Sequence, residues 1–87
     1  MEEYFGNKYW YKKGAKPYRY IYHRTDGPAV KYADGAKHWY INGKRHREDG
    51  PAVEYENGSN TWYINGKYIN CDSQKGFERI IRLKVFI

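Results

Sequence analysis

The chain has 87 residues, a formal net charge of +6 and an aromatic content of 20%. This length allows one domain with a small core, and eleven tyrosines with three tryptophans exclude a disordered chain. The lack of a long apolar run argues against a transmembrane helix, and the lone cysteine, Cys71, excludes an internal disulfide framework and favours a reducing, cytoplasmic location.

The positive charge lies at the two ends of the chain. Residues 1–24 carry six basic and two acidic side chains, residues 25–70 carry six of each sign, and residues 71–87 carry four basic and two acidic ones. An anionic partner would therefore meet the ends rather than the middle.

The first element in chain order, residues 1–22, interleaves aromatic and basic side chains. Residues 18–22 (YRYIY) alternate as a strand does. Basic groups suit phosphates while rings stack on bases, and an edge strand whose solvated lysines discourage aggregation explains the same pattern. From this segment we select as candidate partner-binding residues Tyr11, Lys12, Lys13, Lys16 and Arg19.

Residues 23–70 contain two near-copies of one 23-residue unit. Residues 23–30 (HRTDGPAV) return as residues 46–53 (HREDGPAV), and residues 39–44 (WYINGK) return as residues 62–67. A degenerate copy stands at residues 10–14 (WYKKG). A fixed period of this length marks stacked units that bury their apolar faces only against neighbours. About two and a half units is near the lower limit for stability, so the stack needs a cap.

Each unit predicts a β-hairpin with a short return segment. Asp34-Gly35 and Asn57-Gly58 tolerate the positive φ of a tight turn, and Asn42-Gly43 and Asn65-Gly66 mark a second turn. With a two-residue turn at Asp34-Gly35, strand alternation defines a core face: Val30, Tyr32, Trp39 and Ile41, then Val53, Tyr55, Trp62 and Ile64. The opposite face would carry Lys31, His38, Tyr40, Glu54, Thr61 and Tyr63.

The residue after each tryptophan is a tyrosine. Tyr11, Tyr40 and Tyr63 would form a ladder on the face opposite the tryptophans, suited to stacking on bases or to anchoring a protein. Cross-strand aromatic pairs also stabilise a sheet by themselves, and a C-terminal helix that covers this face would explain them too. We add Tyr40 and Tyr63 to the candidate binding residues.

Residues 71–87 predict the cap. Asp72 or Ser73 can begin a helix, and the spacing of Phe77, Ile80 and Ile81 favours a helix over about residues 73–84. Residues 81–87 also alternate as a strand does, so the choice between helix and strand stays open for residues 77–87.

No catalytic or metal-binding constellation is evident. His23 and His46 recur with the repeat and lack a second ligand nearby, so they indicate a structural role at a turn, as do Asp26 and Asp49. The sequence contains no nucleophile–base pair or phosphate loop. We therefore expect neither an enzyme nor a cofactor or metal.

The pattern WYINGKxHRxDGPAVxYxxG resembles MORN repeats (membrane occupation and recognition nexus) over residues 23–67, and more weakly over residues 9–14. It departs from the commonest MORN form, which has glycine at positions 24, 28, 47 and 51, and is more similar to the form found in small proteins of tailed phages and large DNA viruses. The resemblance implies stacked hairpins that bind or scaffold, without implying a shared ligand.

The sequence thus predicts one mainly β domain, residues 1–87: a stacked antiparallel hairpin meander of about two and a half repeats with a C-terminal capping helix. The predicted function is a non-catalytic viral interaction module that binds a macromolecule in the host cytoplasm, foremost a protein, as a host-takeover or anti-defence inhibitor. Nucleic-acid or nucleotide binding through the N-terminal segment and a membrane-surface scaffold are the alternatives, and open strand edges allow a homodimer.

Overall fold

The computed structural model of the chain describes residues 1–14 and 20–83. This part contains short antiparallel strands and one C-terminal helix, which confirms the predicted mainly β meander with a capping helix. The elements are β1 (Glu2–Tyr4), β2 (Asn7–Tyr9), β3 (Tyr11–Lys13), β4 (Tyr20–Tyr22), β5 (Val30–Lys31), β6 (Lys37–His38), β7 (Tyr40–Ile41), β8 (Lys44–Arg45), β9 (Val53–Glu54), β10 (Asn60–Ile64), β11 (Lys67–Ile69) and α1 (Gln74–Leu83).

The strands form two adjoining rows of hairpins. In the first row the strand order is β1-β2-β5-β6-β9-β10, and in the second row β3 pairs with β4, β7 with β8, and β10 with β11. Backbone hydrogen bonds join neighbouring hairpins of the second row, from Gly43 N to Tyr22 O at 2.9 Å and from Gly66 N to Arg45 O at 2.8 Å. Each tryptophan therefore stands where the chain passes from one row to the other.

The register of the β5–β6 hairpin corrects the predicted core face. Val30 pairs with His38, not with Trp39, because the turn contains three residues, Ala33 to Gly35, and Tyr32 N donates to Ala36 O at 2.9 Å. Directly paired residues project from the same face, and a shift of one residue exchanges the faces. The predicted set therefore divides: Val30, Tyr32, Val53 and Tyr55 lie on the face of His38 and Tyr40. The opposite face carries Trp39, Ile41, Trp62 and Ile64 together with Lys31 and Glu54.

Arginine–tryptophan stacking repeats along the other face. The Arg24 guanidinium lies 3.9 Å from the ring centroid of Trp10, and that of Arg47 lies 3.8 Å from the ring centroid of Trp39. Each Arg Nε donates to the Asp two residues later at 2.9 Å. A Cβ at Gly50 would lie 2.7 Å from Arg47 Cζ, so the glycine of this motif makes room for the stacked arginine.

The helix α1 takes the place of a third stacked arginine. Ser73 caps it, accepting from Gly76 N at 3.1 Å, and Gln74 Oε1 accepts from Trp62 Nε1 at 2.9 Å. Phe77 is fully buried against Trp62, Ile64 and Ile69. The predicted helix is confirmed through residue 83, residues 84–87 lie outside the described part, and the helix covers the tryptophan face rather than the tyrosines.

Candidate partner-binding face

Each strand of the second row contributes one side chain to a continuous ladder of five tyrosines and one arginine. Tyr22 and Tyr40 have ring centroids 5.2 Å apart, and the Arg45 guanidinium lies 5.7 Å from the ring centroid of Tyr40 and 5.4 Å from that of Tyr63. Paired positions in the three hairpins supply this tyrosine ladder, which consists of Tyr11, Tyr22, Tyr40, Arg45, Tyr63 and Tyr68.

Further rings from the first row extend the ladder on the same face. His38 contacts Tyr32 and Tyr55, with centroids 5.3 and 6.4 Å apart, and stacks 6.4 Å from Tyr40. Tyr9 joins the ladder 6.2 Å from Tyr22. We call the ladder with Tyr9, Tyr32, His38 and Tyr55 the tyrosine face.

The tyrosine face has a buried base and an accessible outer surface. Val30 and Val53 pair with His38 and are each only 1% exposed. Tyr11, Tyr22, Tyr32, Tyr55 and Tyr68 instead keep between 38% and 53% of their surface exposed. The rings thus shield the two valines and still present aromatic surface to a partner.

The structure divides the predicted site residues. Tyr11, Tyr40 and Tyr63 share the ladder. Lys13 pairs with Tyr20 and therefore lies on the same face, whereas Lys12 pairs with Ile21 and projects from the opposite face. The two other predicted basic residues, Lys16 and Arg19, lie outside the described residues.

Sequence reasoning missed the intervening members of the ladder. Tyr22, Arg45 and Tyr68 are spaced by one repeat period each and fill the gaps between the predicted tyrosines. This spacing could have revealed them, but Arg45 stands between two tyrosines at the equivalent positions, so the residue type is not the same in all three. Tyr32 and Tyr55 were missed as binding residues because the assumed two-residue turns placed them on the core face. Tyr9 precedes Trp10, where the two later units have His38 and Thr61, so the repeat did not reveal it.

The histidines and aspartates of the repeat have structural partners. His23 Nδ1 accepts from Asn42 N at 2.9 Å, and His46 Nδ1 accepts from Asn65 N at 3.0 Å, which holds each Asn-Gly turn. Both asparagines have a φ close to +50°, as such turns require. Within residues 1–14 and 20–83 no group of three or more His, Cys, Asp or Glu side chains is arranged to hold a metal ion.

Two clefts flank these features. The larger, about 680 Å³, lies between successive arginine loops, and its polar side chains already pair with one another through the ion pairs Arg24–Asp26 and Arg47–Asp49 and the hydrogen bond between His46 and Glu48. The smaller, about 550 Å³, lies at the N-terminal end of the tyrosine face. The smaller cleft is therefore the better candidate for a ligand site.

Burial of His38 on the tyrosine face predicts a pH dependence. Burial, and secondly the charge of Arg45, lower the pKa of His38 from 6.5, while Asp34 opposes the shift. The unfolded chain then binds a proton that the folded protein resists, so stability is lost as the pH falls through about 6.5. We expect the free energy of unfolding in urea to fall less between about pH 7 and about pH 5 in His38→Gln than in the wild type; an equal fall would contradict this role.

No protein-family model matches this chain, and no curated protein or solved structure matches it. The resemblance to MORN repeats therefore stays a prediction. In the described ranges, 1–14 and 20–83, no helix has the length and apolar character needed to span a membrane.

Proposed function

We propose that this chain is a non-catalytic protein-binding module and that its tyrosine face docks onto the partner. The observation that carries the proposal is the continuous aromatic surface on the antiparallel sheet, opposite the face that α1 covers. Because the repeat sequence resembles that of small viral proteins, we further propose that the partner is a cytoplasmic host protein and that the module inhibits it.

Tyrosine is well suited to this task. Its side chain combines a large apolar ring with a hydroxyl group and loses little conformational freedom on binding, since only two torsions must be fixed. Ring contacts within the ladder hold Tyr22, Tyr40 and Tyr63 in place before binding. Such preorganised aromatic residues dominate the affinity of many protein interfaces.

The distribution of charge favours a protein over a nucleic acid. Proteins that bind single strands place cations beside the rings on which bases stack. Arg45 and Lys13 lie on the tyrosine face, with the Arg45 guanidinium already held between Tyr40 and Tyr63. The lysines of the first row, Lys8, Lys31 and Lys37, are instead paired across β2, β5 and β6, and therefore project from the face opposite Tyr9 and His38. Lys12 also projects from that opposite face.

Affinity capture from host lysate, with and without nuclease, tests the proposal. We expect wild-type protein and Lys12→Ala to retain one stoichiometric protein after nuclease treatment, and Tyr11→Ala to lose it. Tyr11 and Lys12 are adjacent, exposed and on opposite faces, so they form a matched pair. Capture of nucleic acid alone, or equal capture by both variants, would contradict the proposal.

A further inference from the structure

The smaller cleft is built almost entirely from tyrosines. Four strands contribute the side chains of one face: β1 and β2 provide Tyr4 and Tyr9, while β3 and β4 provide Tyr11, Tyr20 and Tyr22. Tyr4 and Tyr20 are 64% and 70% exposed, so the rim is open to a ligand. Tyr11 and Tyr20 meet edge to face, with centroids 5.2 Å apart.

A single carboxylate, Glu2, lies among these rings. Its Oε1 accepts a hydrogen bond from the Tyr11 hydroxyl, and this bond raises the pKa of Tyr11. A carboxylate offers about four acceptor positions, and within the described residues Oε2 of Glu2 accepts no hydrogen bond. Glu2 therefore has unused capacity to accept hydrogen bonds from a donor inside a ring-lined cleft.

Within residues 1–14 and 20–83 the protein places arginine against aromatic rings at three positions. Two guanidinium groups lie 3.8 and 3.9 Å from tryptophan centroids, and that of Arg45 lies between two tyrosines of the ladder. In the two tryptophan cases a nearby aspartate completes the arrangement, at 2.9 Å from Nε. Arg24 and Arg47 thus combine a flat ring with a carboxylate acceptor, and Arg45 lies between two tyrosine rings.

We propose that the cleft around Glu2 binds an arginine side chain of the protein partner. The guanidinium lies against the tyrosine rings, whose faces are negative, and donates to the open oxygen of Glu2. An arginine fits better than a lysine because it is planar, weakly hydrated and able to stack while it donates. This inference rests on the proposed function for the source of the arginine, but not for the chemistry of the cleft.

Titration with N-acetyl-arginine amide, followed by NMR of the tyrosine rings, tests the cleft directly. Matched probes are the citrulline and lysine analogues, and matched variants are Glu2→Gln and Glu3→Gln. Both glutamates are exposed on β1 and each variant removes one negative charge, but Glu3 pairs with Lys8 and so projects from the opposite face. Unchanged tryptophan fluorescence verifies that each variant is folded.

We expect shifts at Tyr4, Tyr11, Tyr20 and Tyr22, with millimolar affinity for the arginine probe in the wild type and in Glu3→Gln. The affinity should fall at least about tenfold for citrulline, for lysine and for Glu2→Gln, a difference of about 1.4 kcal/mol. The inference is overturned if those rings do not shift, if citrulline or lysine binds as well as arginine, or if both variants lose affinity equally.

The two proposals fail in different ways. If Glu2→Gln captures the protein partner as well as the wild type does, the cleft does not hold an arginine of that partner, while the protein-binding function stands. If the arginine probe binds as expected and no protein is captured, the cleft chemistry stands and the proposed function is wrong.

Discussion

We expect Phe77→Ala to lower the free energy of unfolding by about 3–5 kcal/mol. Phe77 is fully buried, and its ring centroid lies 6.2 Å from that of Trp62 in the cluster that joins α1 to the last hairpin. Truncation removes buried apolar surface and leaves a cavity among Trp62, Ile64 and Ile69. Among the described residues of α1, only the partly buried Ile80 and Ile81 then remain as apolar contacts with this cluster. Because small domains are stable by only about 5–15 kcal/mol, this loss is a large part of the total stability.

Urea denaturation followed by tryptophan fluorescence and by circular dichroism at the helical band measures this effect. Leu83→Ala is the matched control, since Leu83 lies on the same helix and is 64% exposed. We expect Leu83→Ala to change the free energy of unfolding by less than about 0.5 kcal/mol. Similar stabilities for Phe77→Ala and the wild type would mean that α1 does not cap the sheet.

The second large effect concerns Arg47, for which we expect Arg47→Ala to cost about 2 kcal/mol of unfolding free energy. Arg47 stacks on Trp39 and donates to Asp49, to the Pro51 carbonyl oxygen and to Glu54. Its removal leaves a part-buried carbonyl without its donor and exposes the indole ring. The side chain is 21% exposed, so solvent screening weakens the ion pairs and the stacking matters more.

The equivalent variant one repeat earlier is the internal comparison. Arg24 makes the same contacts with Trp10, Asp26 and the Pro28 carbonyl oxygen. Lys31 stands one repeat before Glu54 and its side chain has no oxygen to accept a hydrogen bond from Arg24. We expect Arg24→Ala to cost less than Arg47→Ala in the same urea experiment. A larger cost for Arg24→Ala would show that the Glu54 contact does not contribute.

The repeat made the hairpins and their order predictable. It did not predict the register of the hairpins, because the residue types at their turns fit both a two-residue and a three-residue turn. Asn42-Gly43 and Asn65-Gly66 adopt the two-residue turn with positive φ at both positions. Asn57-Gly58 has the same residue types but positive φ only at Gly58, and it forms a three-residue turn closed by the bond from Tyr55 N to Ser59 O. Asp34-Gly35 fits a two-residue turn, and it also fits a three-residue turn that ends at Gly35. The Asp34 side chain accepts from Ala36 N at 2.9 Å and so stabilises the longer turn, a contact that residue types alone do not reveal.

The candidate site was partly predictable for the same reason. Repeat equivalence placed Tyr11, Tyr40 and Tyr63 on one face, where the structure has them. The contact between Glu2 and Tyr11 depends on how β1 folds back onto β2 through Phe5-Gly6, where an exposed phenylalanine adopts a φ of +51°. A bulky aromatic residue is uncommon at such a position, so the residue types did not predict this turn.

The most direct test of the protein-binding account measures the affinity of the captured partner for four alanine variants. These form two matched tyrosine–lysine pairs at opposite ends of the second row of hairpins. Tyr11 and Lys12 form one pair on β3, and Lys67 and Tyr68 form the other on β11. In each pair the tyrosine projects from the tyrosine face and the lysine from the opposite face. The account predicts that Tyr11→Ala and Tyr68→Ala each weaken binding at least about tenfold, while Lys12→Ala and Lys67→Ala change it less than about twofold. Weaker binding in the lysine variants with unchanged binding in the tyrosine variants would place the interface on the other face and contradict the account.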